Sequence, residues 1–179
     1  DVSGQSPDDL ADVRARTIGF IFQTFNLLPV LSAFENVEYP LLQMRELSAP
    51  ERRERVNHYL SKVGLAKYAH HRPNQLSGGQ RQRVAVARAL VTHSRVVLAD
   101  EPTANLDRRT GESILNLMRD LNQNDGTTFV FSTHDKRVMN RADRLVRMED
   151  GQITALGLRR DGAWKFVQDR RKPEDDPEI

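Results

Sequence analysis

Leu76-Ser77-Gly78-Gly79-Gln80-Arg81-Gln82-Arg83-Val84-Ala85-Val86-Ala87-Arg88-Ala89-Leu90, followed by Val96-Val97-Leu98-Ala99-Asp100-Glu101, is the stretch whose reading decides the fold. Ser77 before paired glycines is a helix N-cap pattern. The small residues Ala85, Ala87 and Ala89 among Val84, Val86 and Leu90 suit a helix closely packed by its neighbours. Val96 to Ala99 is a wholly apolar strand that runs into two carboxylates. A helix feeding such a strand is the unit of a mostly parallel α/β sheet, with its reactive loops at the C-terminal strand ends.

Toward the N-terminus, Thr17-Ile18-Gly19-Phe20-Ile21-Phe22 reads as a strand covered on both faces, with Gln23 where it ends. From Ala33 to about Val63 the pattern is helical, with Pro50 opening a charged stretch in which Val56, Tyr59, Leu60 and Val63 recur at helical spacing. Toward the C-terminus, Ile114, Leu115, Leu117, Met118 and Leu121 mark a helix closed by Gly126, and a third strand follows from Thr127 to Phe131. Leu145, Val146 and Met148 form a weaker strand, and Asp150-Gly151 turns the chain into Ile153 as a peripheral hairpin. After Gly157 the composition becomes charged, so residues 159–179, ending in Arg170-Arg171-Lys172-Pro173-Glu174-Asp175-Asp176-Pro177, are expected to form a mobile tail.

A chain of 179 residues fits one modest α/β domain. With 27 Lys and Arg against 25 Asp and Glu, the net charge of +2 provides no basic field, so charge points to no nucleic-acid partner. No apolar run reaches the roughly 18 residues that a membrane span needs. The chain has no cysteine, so thiol and disulfide chemistry are excluded. His58, His70, His71 and His93 show no metal-ligand spacing, and no zinc site is expected.

The run from Leu76 to Leu90 resembles the signature of the ATP-binding-cassette family. In that family the signature contacts the γ-phosphate of ATP held by a partner subunit, and the resemblance gives that role to Ser77, Gly78, Gly79 and Gln80. Val96 to Glu101 resembles a Walker B strand. It implies that Asp100 holds Mg²⁺ and Glu101 polarises the attacking water, jobs that adjacent acids pointing to opposite sides of a strand could divide. Pro102-Thr103-Ala104-Asn105-Leu106-Asp107 resembles the D-loop, in which Asp107 links two active sites across a dimer. Ser132-Thr133-His134-Asp135 resembles the switch motif, whose His134 meets the γ-phosphate and helps to orient the water. Gln23, before Thr24-Phe25-Asn26-Leu27-Leu28-Pro29, resembles the Q-loop glutamine that reaches Mg²⁺ and the water.

The implied fold is α/β, a P-loop NTPase-type, mostly parallel sheet with an inserted helical subdomain. Residues 1–23 and 81–158 would form the catalytic core, and residues 24–80 the helical subdomain. The implied cofactors are ATP and Mg²⁺. The implied partners are a second cassette subunit, in a homodimer, and integral membrane permease subunits, with the protein peripheral on the cytoplasmic face. Apolar residues after Gln23 and in Glu35-Asn36-Val37-Glu38-Tyr39-Pro40 would help to receive a coupling helix. The Phe22 to Pro29 run and the Ala99 to Asp107 run look most like the lipoprotein-release and macrolide-export group.

The family's phosphate loop, G-x-x-x-x-G-K-[ST], is not matched, because none of the 10 glycines is followed by lysine. The expectation is a chain that begins inside the family's pattern, lacks the N-terminal strands and phosphate loop, folds poorly alone and does not hydrolyse ATP alone. A soluble cassette of DNA repair would insert a long coiled coil between Q-loop and signature, and the interval from Thr24 to Gln75 is too short for one. A non-catalytic cassette offering only its signature is a further alternative, against which Asp100, Glu101 and His134 stand.

Overall fold

The computed structural model describes residue 4, residues 6–160 and residues 163–169. The chain divides into two compact units, Asp1–Ser132 and Thr133–Ile179, a division inside the segment read from sequence as one core.

The first unit runs α1 (Pro7–Thr17), β1 (Ile18–Ile21), α2 (Ala33–Glu38), α3 (Ala49–Lys62), α4 (Gly78–Leu90), β2 (Val96–Asp100), α5 (Arg108–Asp125) and β3 (Thr128–Ser132). Its helix ends are written in the sequence. Ser32 with Glu35, and Ser48 with Glu51, form reciprocal capping boxes at the starts of α2 and α3. Pro50 falls in the first turn of α3, where its missing N–H costs nothing. Gly126 closes α5 at φ 69°, a left-handed position that glycine takes without strain. Helix α1 was not anticipated: it has no apolar stripe to announce it, and Arg14 and Arg16 in its last turn complement the helix dipole.

The three strands are parallel in the order β1-β2-β3, with Ile21 beside Ala99 and Ala99 beside Phe131. One face carries Gly19, Ile21, Val97 and Ala99, all buried, with Phe129 and Phe131 packed against the same core. This core continues into Val37, Leu41, Val56, Leu60, Val84, Val86, Ile114 and Met118. Helix α4 approaches closely here because Gly19 has no side chain: a Cβ at that position would lie 2.2 Å from the Ala89 carbonyl oxygen. The other face departs from the expectation of a strand covered on both sides. Phe20 and Val130, on either side of Leu98 in the register, are 36% and 50% exposed. Alternation sends every second apolar side chain to that face, and no described element of this unit covers it.

Buried Asn36 ties the segment after β1 to α2. Its amide nitrogen donates to the carbonyls of Leu28, Leu31 and Ser32, and its oxygen accepts from the Leu28 amide. One polar side chain thereby satisfies a turn that the surrounding core would otherwise leave unpaired.

The second unit contains α6 (Lys136–Met139) and an antiparallel sheet of β4 (Arg144–Glu149), β5 (Gln152–Arg160) and β6 (Ala163–Asp169). Asp150 at φ 48° and Gly151 at φ 75° form the turn between β4 and β5, as the sequence indicated. The expectation of a tail from residue 159 is corrected. Strand β5 runs through Arg160, and β6 pairs with it. The reason is local: Gly157 has no Cβ, and the rings of Trp164 and Phe166 lie 3.2 Å from where one would be. Residues 170–179, the charged end of that expected tail, lie outside the described residues.

The close approach at Gly19 yields a measurable expectation. Gly19→Ala should lower the unfolding free energy by about 2–3 kcal/mol, because backbone oxygen rather than a flexible side chain occupies the space. Urea unfolding reads this directly, and an unchanged midpoint would contradict the packing described.

Candidate functional site

Three of the sequence-predicted segments converge in the first unit. Gln23 is exposed just past β1, and its carbonyl accepts a hydrogen bond of 2.8 Å from the Asn105 side-chain amide. Asp100 ends β2, exposed, opposite Ser132 of β3. By alternation its carboxylate shares the open face of the sheet with Leu98. Glu101 comes after the strand, in the left-handed region at φ 41°, and its amide donates to the Ser132 carbonyl at 2.9 Å. Glu101 therefore lies in a backbone turn past the end of β2, outside the strand alternation expected from sequence. A non-glycine residue held at positive φ costs of order 1–3 kcal/mol and persists only where its surroundings impose it.

The Ser77 start of α4 is a complete capping box. The Ser77 hydroxyl accepts from the Gln80 amide at 3.3 Å, and the Gln80 side chain accepts from the Ser77 amide at 2.8 Å. Gly79 has a structural duty besides any ligand contact, since a Cβ there would come within 2.5 Å of the Thr110 methyl group on α5. A Cβ on Gly78 would touch Leu106 and the Asn105 carbonyl, so the helix start lies against the loop that follows Glu101. Buried Gln82 ties the same two segments, donating to the Pro102 carbonyl at 2.8 Å.

Asp107 is the N-cap of α5 and accepts from the Thr110 amide at 3.0 Å. Hydrogen bonds from the Thr110 side chain first, and then from its backbone, hold the Asp107 carboxyl below its ordinary range. His134 is exposed on the segment between β3 and α6. It belongs to the second unit, so Gln23, Ser77 to Gln80, Asp100, Glu101 and Asp107 are gathered within one unit and His134 is not.

The acids do not make a metal cage. Among the described residues no group of three or more His, Asp, Glu or Cys could hold an ion. One or two carboxylates suit a Mg²⁺ that arrives with phosphate and water ligands, and Asp100 is so placed.

Sequence reasoning missed Gln82, Arg88 and Asn105. Arg88 donates to the Phe25 carbonyl at 2.7 Å and to the Asn26 carbonyl at 2.5 Å, across 63 and 62 residues of chain. Periodicity ranks such residues only as polar positions on a helix or loop; their partners are backbone oxygens that no side-chain pattern displays.

A sequence profile of the family described as ABC transporter matches residues 2–104. The lipoprotein-releasing system ATP-binding protein LolD of Anaeromyxobacter dehalogenans is 48% identical over 91% of this chain and 69% of its own length. The macrolide export ATP-binding/permease protein MacB of Brucella melitensis is 47% identical over 90% of this chain and 25% of its own length. The chain thus spans about two thirds of the first relative and a quarter of the second. Among solved structures, the dimeric ATP-binding cassette MJ0796 in a post-hydrolysis state bound to ADP and Pi superposes with a TM-score of 0.75. It is 44% identical, covering 87% of this chain and 68% of its own. The fold described above is the α/β cassette fold, with a parallel sheet and helical insertions.

The capping carboxylates set an acid limit on this framework. Hydrogen bonds from Ser32 and Ser48 lower Glu35 and Glu51, as those from Thr110 lower Asp107. Their stabilising contributions are complete above the ordinary values, 4.5 for the glutamates and 3.8 for the aspartate, and are lost as pH falls through the lower folded values. The melting temperature should therefore drop with acidification below about pH 4.5. Asp107→Asn should show a smaller drop over the same range, and an identical pH profile would count against the cap.

Proposed function

Since the chain belongs to the ABC transporter family, we propose that it forms part of an ATP-hydrolysing cassette subunit that powers a transporter of the lipoprotein-release and macrolide-export kind. Residues 1–23 and 81–158 are assigned to its catalytic core, and residues 24–80 to its helical subdomain. The observation that carries the reading is the direct linkage of the segments in one unit. Asn105 holds the Gln23 carbonyl, Gln82 holds the Pro102 carbonyl, and the Ser77 helix start rests on Leu106.

The chemistry follows from what each group can do. The first-turn amides of α4 and the positive end of its dipole offer donors to a phosphate brought by a second cassette, with Ser77, Gly78, Gly79 and Gln80 lining the approach. Glu101 accepts a proton from the attacking water, or polarises it. Gln23 has both a donor and an acceptor on its amide, so it can orient that water. Asp100 would hold Mg²⁺, which supplies charge neutralisation on the β- and γ-phosphates. His134 is assigned a hydrogen bond to the γ-phosphate, and Asp107, beyond capping α5, a contact across the dimer.

The nucleotide-closed state is a head-to-tail homodimer, each copy matching its carboxylates to the other's signature. Integral permease subunits are the membrane partners, and the cassette works peripherally at the cytoplasmic face. No helix among the described residues is long and apolar enough to cross a membrane. The 179 residues contain no glycine followed by lysine, so the phosphate cradle is not among them and turnover by these residues alone is not expected.

The test joins a glycine–lysine phosphate loop segment from a similar cassette to the front of this chain and assays Mg·ATP hydrolysis. Turnover is expected, and Glu101→Gln should lower kcat by about 10²–10⁴-fold while nucleotide still binds. Hydrolysis indifferent to Glu101 would overturn the assignment, as would Glu101-dependent turnover by the 179 residues on their own.

A further inference from the structure

The turn that follows β1 is held in a conformation its own residues do not favour. Phe25 and Asn26 stand consecutively at φ 63° and 47°. Asparagine tolerates the left-handed region, whereas phenylalanine does not. Within the turn, the Phe25 amide donates to the Phe22 carbonyl at 3.1 Å and the Asn26 amide to the Thr24 carbonyl at 2.8 Å. These bonds close the loop and do not use the Phe25 and Asn26 carbonyls.

Those two carbonyls meet one guanidinium. Arg88 gives Nη2 to Phe25 and Nη1 to Asn26, so its planar fork fixes two successive peptide groups at once. The Phe25 ring is gripped from the same helix, with the Arg81 guanidinium carbon 5.3 Å from its centroid. Arg81 and Arg88 are seven residues apart, two turns of α4, and therefore share a face. Arg88 is only partly exposed, and a cation withdrawn from water requires such partners. On the other side of the turn, Asn105 takes the Gln23 carbonyl.

We infer that Arg88 is a positioning residue for Gln23: anchored on α4, its fork holds the turn through Phe25 and Asn26 in the left-handed form that sets where Gln23 leaves β1. The inference rests on the role proposed for Gln23, and it gives that role a mechanical origin. The helix that begins at the signature carries, near its other end, the group that aims the glutamine. A shift of α4 is then a shift of Gln23.

The experiment measures amide exchange by NMR in the whole protein as expressed, without nucleotide, for the wild type, Arg88→Met and Arg88→Lys. Arg88→Met should speed exchange at Phe25 and Asn26 about tenfold and move the Gln23 signals, while Val84 and Ala85 keep their rates. Lysine keeps the charge but not the planar fork that gives each carbonyl its own nitrogen, so Arg88→Lys should fall between the two. Unchanged turn amides would overturn the inference, and so would α4 amides that accelerate as much as the turn, since that marks a general loss of packing. If the methionine variant fails to fold, the lysine variant decides by the same readout. Exchange is read without ATP, so a cassette that did not hydrolyse ATP would sink the functional reading and leave this result standing.

Discussion

The contact between α4 and β1 at Gly19 governs the first unit. With no Cβ on Gly19, the Ala89 backbone lies where an ordinary helix-on-sheet packing would need a side chain between the layers. A helix brought this close must be lined by small residues, which accounts for Ala85, Ala87 and Ala89 among the buried positions of α4. The same closeness brings the polar residues of α4 within reach of loops on the sheet's C-terminal edge. Gln82 reaches Pro102, and Arg88 reaches the turn after β1. Shallow packing would leave those side chains in water and those loops without anchors.

The parts of this arrangement that were legible in the sequence obey local rules. A serine before two glycines, a glycine after an apolar helical stripe, an Asp-Gly pair between alternating strands and an apolar run ending in acids are each decided by a few neighbouring residues. All four were found as read, at Ser77, Gly126, Asp150-Gly151 and Val96 to Asp100. What was not legible depends on contacts distant in sequence or on the absence of a covering element. The open face at Phe20 and Val130 looks the same in sequence as a covered one. Strand β6 was hidden because its aromatic residues pack where Gly157 leaves room, a contact no local pattern displays, and the charged residues around them dominate the composition. Glu101 was read as part of the strand because nothing in its identity announces a positive φ.

The candidate site shows the same division. Ser77 and Asp107 were singled out for contacts with a nucleotide or a partner, yet each caps its own helix. The two duties are compatible. A cap fixes the first turn and thereby orders the remaining amides, so the residue that stabilises the helix would also prepare the end proposed to meet a phosphate. Gly79 combines two demands in the same way. Packing against Thr110 of α5 excludes a side chain there, and the role proposed for it asks for the same bare backbone where a phosphate would approach. Residue choice at these positions is over-determined, so a bland structural reading and a functional reading can both be correct.

Three of the five non-glycine residues at positive φ among those described stand where these loops meet. Besides His93 and the hairpin Asp150, the non-glycine residues at positive φ among those described are Phe25, Asn26 and Glu101. The first two follow Gln23 and the third is the proposed water-polarising acid. Each is held by groups from another segment: Arg88 for Phe25 and Asn26, and the Ser132 carbonyl for Glu101. Backbone in such conformations relaxes when its partners move, so these residues respond to displacement of neighbours that a relaxed loop would ignore. On the function proposed above, that property would let Gln23 follow a displacement of α4. The strained turn after β1 thus connects α4 to the Gln23 segment through backbone oxygens rather than through the side chains that define the motifs.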